Sequence, residues 1–214
     1  MPSVVQLVAK GVVHRFGANT VLRGVDVAFD SASITVLEGA NGAGKSTLLS
    51  ILGGLLRPSA GSVHCLPQGK APEEVRQLIG WVGHDSFAYR DLTAQENVEF
   101  MAALYGRGGS WPEVASRVGA ESLGNRRVGT LSRGQRQRVA LGRALVHSPD
   151  VLLLDEPFSG LDLQGVASLE NVLRQERERG RIIIAVSHDP SFAGRIGARQ
   201  LRLRGGRLCE VGAR

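Results

Sequence analysis

From residue 39 to residue 47 the chain reads GANGAGKST. Glycine, lysine and hydroxyl residues at this spacing fit the pattern G-x-x-x-x-G-K-S/T. The pattern has a physical reason. Glycines let backbone N–H groups converge on oxyanions, and a helix N-terminus just behind adds partial positive charge. On this reading Gly39, Asn41, Gly42, Ala43, Gly44, Lys45, Ser46 and Thr47 cradle a nucleotide polyphosphate. Lys45 reaches its β- and γ-phosphates, and Ser46 ligates Mg²⁺. A second set of chemical groups stands where VLLLDEP ends, at residues 151–157. Asp155 is placed to hold Mg²⁺ through water, and Glu156 to polarise a water toward the γ-phosphate. Alone, a strand ending in two acids is an ordinary solvated strand end. Behind a phosphate-binding loop it reads as chemistry.

These residues need elements to carry them. The loop lies between SITVLEG, which reads as a strand, and KSTLLSILGGL, which has helical spacing at Leu48, Leu49, Leu52 and Leu56. Pro58 and Gly61 end that unit. Upstream, Val4 to Phe29 reads as short, partly alternating strands of antiparallel sheet. VLLLDEP and RIIIAVSHD are continuous apolar runs that predict central parallel strands. Leu163 to Arg179 predicts a charged amphipathic helix stopped by Gly180. LRLRGGRLCEV predicts a hairpin around Gly205-Gly206. Between 85 and 131 the texture is helical. Thr93 to Glu96, Ser110 to Glu113 and Ser132 to Gln135 each have the spacing of a capping box.

Composition narrows the class. The chain has 214 residues, 43% of them hydrophobic, which suits one globular domain with a sizeable core. No apolar run approaches the roughly 18–20 residues that span a bilayer. The N-terminal stretch makes a poor signal peptide. Cys65 and Cys209 are isolated and offer no metal spacing. A net charge of +6 suits nucleic acid, an anionic membrane surface or a polyphosphate, and equally a solvated basic surface.

Further along, LSRGQ (Leu131 to Gln135), SGLD (Ser159 to Asp162) and SHD (Ser187 to Asp189) follow the phosphate loop in order around LLLDEP. With these motifs the chain resembles the ATP-binding cassette of ABC transporters over essentially its whole length. The resemblance implies an α/β fold: a P-loop NTPase core with an N-terminal antiparallel β subdomain and an inserted helical subdomain. The chain is then a single domain, with 1–84 and 148–214 forming the core and 85–147 the helical subdomain. It implies ATP and Mg²⁺ as cofactors. Phe16 matches the aromatic that stacks on adenine, although plain strand packing also explains an aromatic there. His188 matches the switch histidine at the γ-phosphate. Ser132, Gly134 and Gln135 belong to the signature that closes on the nucleotide of a partner subunit, and Asp162 links the two sites. Arg133 departs from the usual glycine of that signature.

The stretch GWVGHDSFAYRD now has a place. His84 falls where most of the family carry glutamine, a residue that contacts Mg²⁺ or the attacking water. A neutral imidazole offers a comparable hydrogen bond. Asp85 is the rival for that role, and a solvent-facing strand end is the bland alternative. The implied partners are a separate transmembrane permease subunit and a second cassette, as a homodimer, with no nucleic acid expected. The implied place is the cytoplasmic face of the cell membrane, held peripherally. The run LTAQENVEFMAALYG after His84, together with SRG, resembles ATP-binding subunits of cytochrome c biogenesis heme exporters. Other small exporters of lipid, lipoprotein or drug are alternatives, as is a soluble cassette ATPase that acts on nucleic acid or ribosomes.

Overall fold

The two most apolar runs lie side by side in the middle of a sheet. The computed structural model describes residues 4–83, 88–106, 110–189 and 191–211. In it β6 (Val151–Asp155) and β7 (Ile182–Val186) are buried at every position. They pair in parallel, Leu152 opposite Ile183 and Asp155 opposite Val186. The full sheet has six strands in the order β5-β6-β7-β3-β8-β9. Its other members are β3 (Ser33–Glu38), β5 (Ile79–Val82), β8 (Arg199–Arg204) and β9 (Arg207–Glu210). Only β9 runs antiparallel, joined to β8 through Gly205-Gly206, both at positive φ (56° and 76°). That is the two-residue hairpin geometry for which paired glycines are suited.

Strand alternation divides the core in two. Val151, Leu153, Ile182, Ile184 and Val186 face α1 (Lys45–Leu52) and a second sheet. Leu152, Leu154, Ile183 and Ala185 face a layer of helices. Those helices are α2 (Ala94–Leu104), α3 (Trp111–Val118), α4 (Arg133–Leu145), α5 (Leu163–Glu178) and α6 (Phe192–Ile196). The second sheet is antiparallel, in the order β2-β1-β4. It is built from β1 (Gln6–Phe16), β2 (Asn19–Asp30) and β4 (Ala60–Leu66). The expected fold class is therefore present.

Several local expectations need correction. The segment from Val4 to Phe29 holds two long strands rather than short ones. Register shifts near Ala9, Val12 and His14 break the alternation and make it read as fragments. Helix α1 stops at Leu52, so Leu56 lies beyond it. Gly54 turns the chain at φ 67°, where a Cβ would sit 2.6 Å from Glu73 N. The Thr93–Glu96 and Ser132–Gln135 capping boxes form, with both reciprocal bonds present. Ser110 starts α3 but its side chain caps nothing. Pro112, at the second helical position, has no N–H to offer it.

One buried carboxylate ties the helical layer to the sheet. Glu176 of α5 is fully buried and meets Arg117 of α3 at 2.9 Å and Arg181, just before β7, at 2.5 Å. Arg179 completes the group. Removing one partner of a buried ion pair strands the others without compensation. Glu176→Ala is expected to lower stability by about 3–5 kcal/mol, read as a shifted urea midpoint. A midpoint equal to that of the parent chain contradicts this account.

Candidate nucleotide-binding site

The loop between β3 and α1 closes on its own lysine. Lys45 is buried, and its Nζ donates to Gly39 O at 2.8 Å and Ala40 O at 3.0 Å. Gly44 opens α1 in the left-handed region, φ 101°, and no side chain caps the first turn. That turn is therefore open to an anion. Two glycines are required by contact. A Cβ on Gly39 would lie 2.5 Å from Leu203 O, and one on Gly44 would lie 2.7 Å from Val21 Cγ1. The loop borders an open cleft of about 520 Å³ lined by Asn41, Gly42, Gly44, Lys45, Ser46, Thr47, Val21, Glu156 and His188. Val21 carries no sequence signal for this place; the β1–β2 hairpin brings it there.

The opposite wall comes from the ends of β6 and β7. Asp155 is buried at the last position of β6. Glu156 follows in the left-handed region, φ 51°, which costs a non-glycine residue about 1–3 kcal/mol. Its N–H donates to Val186 O at 3.2 Å. Its Oε1 meets His188 Nε2 at 2.6 Å. The loop carrying His188 is held from behind. Asp189 accepts hydrogen bonds from Ser191 Oγ at 2.7 Å and Arg195 Nη2 at 2.8 Å. The Ser191 and Arg195 bonds hold its carboxyl down to about 2. Arg195 in turn is fixed by Glu170 of α5, at 2.7 Å. The unusual backbone of Glu156 and this bracing set the carboxylate and the imidazole together at the cleft.

The donors suit a small hard cation sharing its shell with phosphate. Among the described residues no cluster of three metal-ligating side chains occurs. Ser46 and Asp155 would supply a hydroxyl and a carboxylate. Mg²⁺ is commonly held that way, by few protein oxygens plus substrate phosphates and water.

Other expected residues fall elsewhere. Phe16 is 54% exposed and stands edge-on to His14, with ring centroids 4.6 Å apart. It is not a core residue. Ser132 caps α4 and Asp162 caps α5, the latter through a 2.7 Å bond from Gly165 N. Ser132, Gly134, Gln135 and Asp162 are not among the residues lining the phosphate-loop cleft. His84 and Asp85 lie outside the described residues.

A parallel sheet whose phosphate loop faces an Asp-Glu strand end and a histidine, with helices inserted between β5 and β6, defines the nucleotide-binding ATPases of the cassette class. Residues 22–159 match the model of the ABC transporter family, and the chain belongs to that family as an ABC-type ATPase. It is 38% identical over 202 residues to the lipoprotein-releasing system ATP-binding protein LolD 1 of Caulobacter vibrioides, covering 88% of this chain and 86% of that one. It is 34% identical over 205 residues to the cytochrome c biogenesis ATP-binding export protein CcmA of Rhizobium meliloti, covering 94% and 98%. The fold is similar to a dimeric, post-hydrolysis structure of the ATP-binding cassette MJ0796 bound to ADP and Pi. That match has a TM-score of 0.84 and 28% identity, covering 95% of this chain and 98% of that one.

The placement of Glu156 generates a direct test. Glu156→Gln keeps the shape and removes the carboxylate. It is expected to bind ATP within about threefold of the parent, while turnover falls by about 10²-fold or more. Equilibrium binding and steady-state phosphate release measure the two. Near-normal turnover would assign the base elsewhere.

Proposed function

We propose that two copies of this chain hydrolyse Mg²⁺-ATP at shared sites and thereby drive a separate membrane subunit that exports a cargo for cytochrome c biogenesis. The carrying observation is the separation of the signature from the phosphate-loop cleft of the same chain. Ser132 and Gly134 start α4 and Asp162 starts α5, away from Lys45. Beside Asp162, Leu163 is 90% exposed. An apolar residue so open suits a surface that a second cassette covers.

The chemistry follows from the residues. Lys45 exchanges its two loop carbonyls for phosphate oxygens, and the amides of the loop and of α1 take the rest. Ser46 and Asp155 hold Mg²⁺, which neutralises charge on the phosphates when bound. Phe16 offers its exposed face to adenine. Glu156 takes a proton from water as the water oxygen bonds to the γ-phosphorus and the bond to the ADP oxygen breaks. His188 fixes the Glu156 carboxylate and reaches the γ-phosphate. Ser132 and Gly134 of the second copy close the site. His84 is our choice for sensing the nucleotide, with Asp85 the alternative.

The membrane subunit is proposed as a separate chain, at the cytoplasmic face of the membrane. Among the described residues no helix is long and apolar enough to cross a membrane. Tyr89, Phe100 and Leu104 are exposed at 51%, 41% and 64%. A groove of about 170 Å³ is lined by Trp81, Met101, Tyr105, Arg143 and His147, among others, and Arg143 lies over the Tyr89 ring, 5.7 Å from its centroid. Asn97 is fully buried and pins this region, bonding Tyr89 N and O at 2.8 and 2.9 Å. In the sequence Tyr89 follows His84 by five positions.

The cargo reading rests on the near end-to-end match to CcmA, together with the GH, LTAQENVEFMAALYG and SRG stretches. Two measurements test the proposal. The ATPase rate should rise more steeply than linearly with protein concentration, and Glu156→Gln should form a dimer with ATP on gel filtration. Activity per chain that stays constant through dilution contradicts the shared site. Deleting the gene in its own host should abolish covalently bound heme c while lipoproteins keep their normal location. The reverse pattern would assign the lipoprotein cargo instead.

A further inference from the structure

Arg133 replaces the usual glycine of the signature, and the structure shows where its side chain goes. It occupies the first helical position of α4 and folds onto the loop that leads from Glu156 to Asp162. Its Nη2 donates to Ser159 Oγ at 3.0 Å. Its stem lies across Gly160. A Cβ on Gly160 would meet Arg133 Cδ at 2.6 Å and Nε at 2.7 Å. Gly160 also holds φ 70°, a conformation that glycine adopts without cost. One residue further, Leu161 Cδ2 closes over Gly134, 3.5 Å from where a Cβ would stand.

The loop under Arg133 is itself stiff. Ser159 N donates to Glu156 O at 3.2 Å, and Leu161 N to Phe158 O at 3.1 Å. Phe158 packs on Phe192 of α6 with ring centroids 4.2 Å apart. A short bonded path therefore runs from the Arg133 guanidinium to Ser159 and on to the backbone of Glu156. Glu156 already sits in a strained conformation against His188.

We propose that Arg133 is a positioning residue that couples the signature of one chain to the Glu156 carboxylate of that same chain. The inference rests on the shared-site reading, in which the signature closes on the partner's nucleotide. Closure over the partner's ATP then moves the first turn of α4. Arg133 carries that movement through Ser159 to the loop whose first residue is Glu156. Occupancy of one site thereby sets the geometry of the base in the other. A glycine at position 133 has no side chain with which to do this.

A double-mutant cycle tests the coupling. Arg133→Ala and Ser159→Ala are each expected to lower kcat about threefold to tenfold, with ATP binding to the isolated chain unchanged within about twofold. The Hill coefficient for ATP should fall toward about 1 in both. The double variant should be no worse than either single one, and Arg133→Lys should recover part of the loss by keeping a donor near Ser159. Additive losses overturn the proposal, as do wild-type kcat and cooperativity in Arg133→Ala. Loss of ATP binding in Arg133→Ala and Arg133→Lys alike makes the residue merely structural and overturns it too. A parent chain whose rate is strictly linear in protein concentration removes the shared site itself, and this coupling with it. A normal parent with additive variants removes the coupling alone.

Discussion

β3, β6 and β7 are covered on both faces, so they can present polar side chains only where they end. Every interior position of β6 and β7 is apolar and buried, because an unpaired polar group there would lose its water without replacement. The carboxylates, the imidazole and the phosphate loop are consequently gathered at one edge of the sheet. Strands in parallel register carry all of these groups to the same edge, since their C-terminal ends point one way. The whole site depends on that packing: the loop after β3 supplies the anion cradle, the end of β6 the acids and the end of β7 the histidine.

Around this edge the protein uses buried charge sparingly and always in company. Lys45 donates to two backbone carbonyls of its own loop. Glu176 gathers arginines from α3, the residue just after α5 and the approach to β7. Glu170 and Asp189 share Arg195 behind the histidine loop. Each group ties a helix to a strand end or loop, so the elements that frame the cleft are joined by polar contacts as well as by the apolar core.

The loop from Glu156 to Asp162 stands where two demands meet. Its first residue belongs to the cleft, and its last caps α5 beside the signature helix. Arg133 crosses between α4 and this loop, over a glycine that leaves it room. The family relationship gives this arrangement its setting, because cassettes of this class work in pairs with membrane subunits. The bridge itself is the contact of Arg133 with Ser159.

Much of this was legible in the residues alone. The GANGAGKST loop, the Asp155-Glu156 strand end, the central strands, the glycine hairpin and two of the three capping boxes follow from short-range rules. Their physics involves neighbours a few residues apart. Register and length in the N-terminal sheet were not legible, because bulges in β1 are settled by pairing with strands on either side. The early end of α1 at Leu52 depends on Gly54 meeting Glu73, a contact across 19 positions of sequence. Val21 at the cleft, the hold of Glu170 on Arg195 and the fold of Arg133 onto Ser159 are likewise long-range. The sequence determined which chemical groups exist and which local turns hold them. Only the tertiary structure decided which of those groups meet, because side-chain contacts between distant segments are set by packing and have no local pattern to announce them.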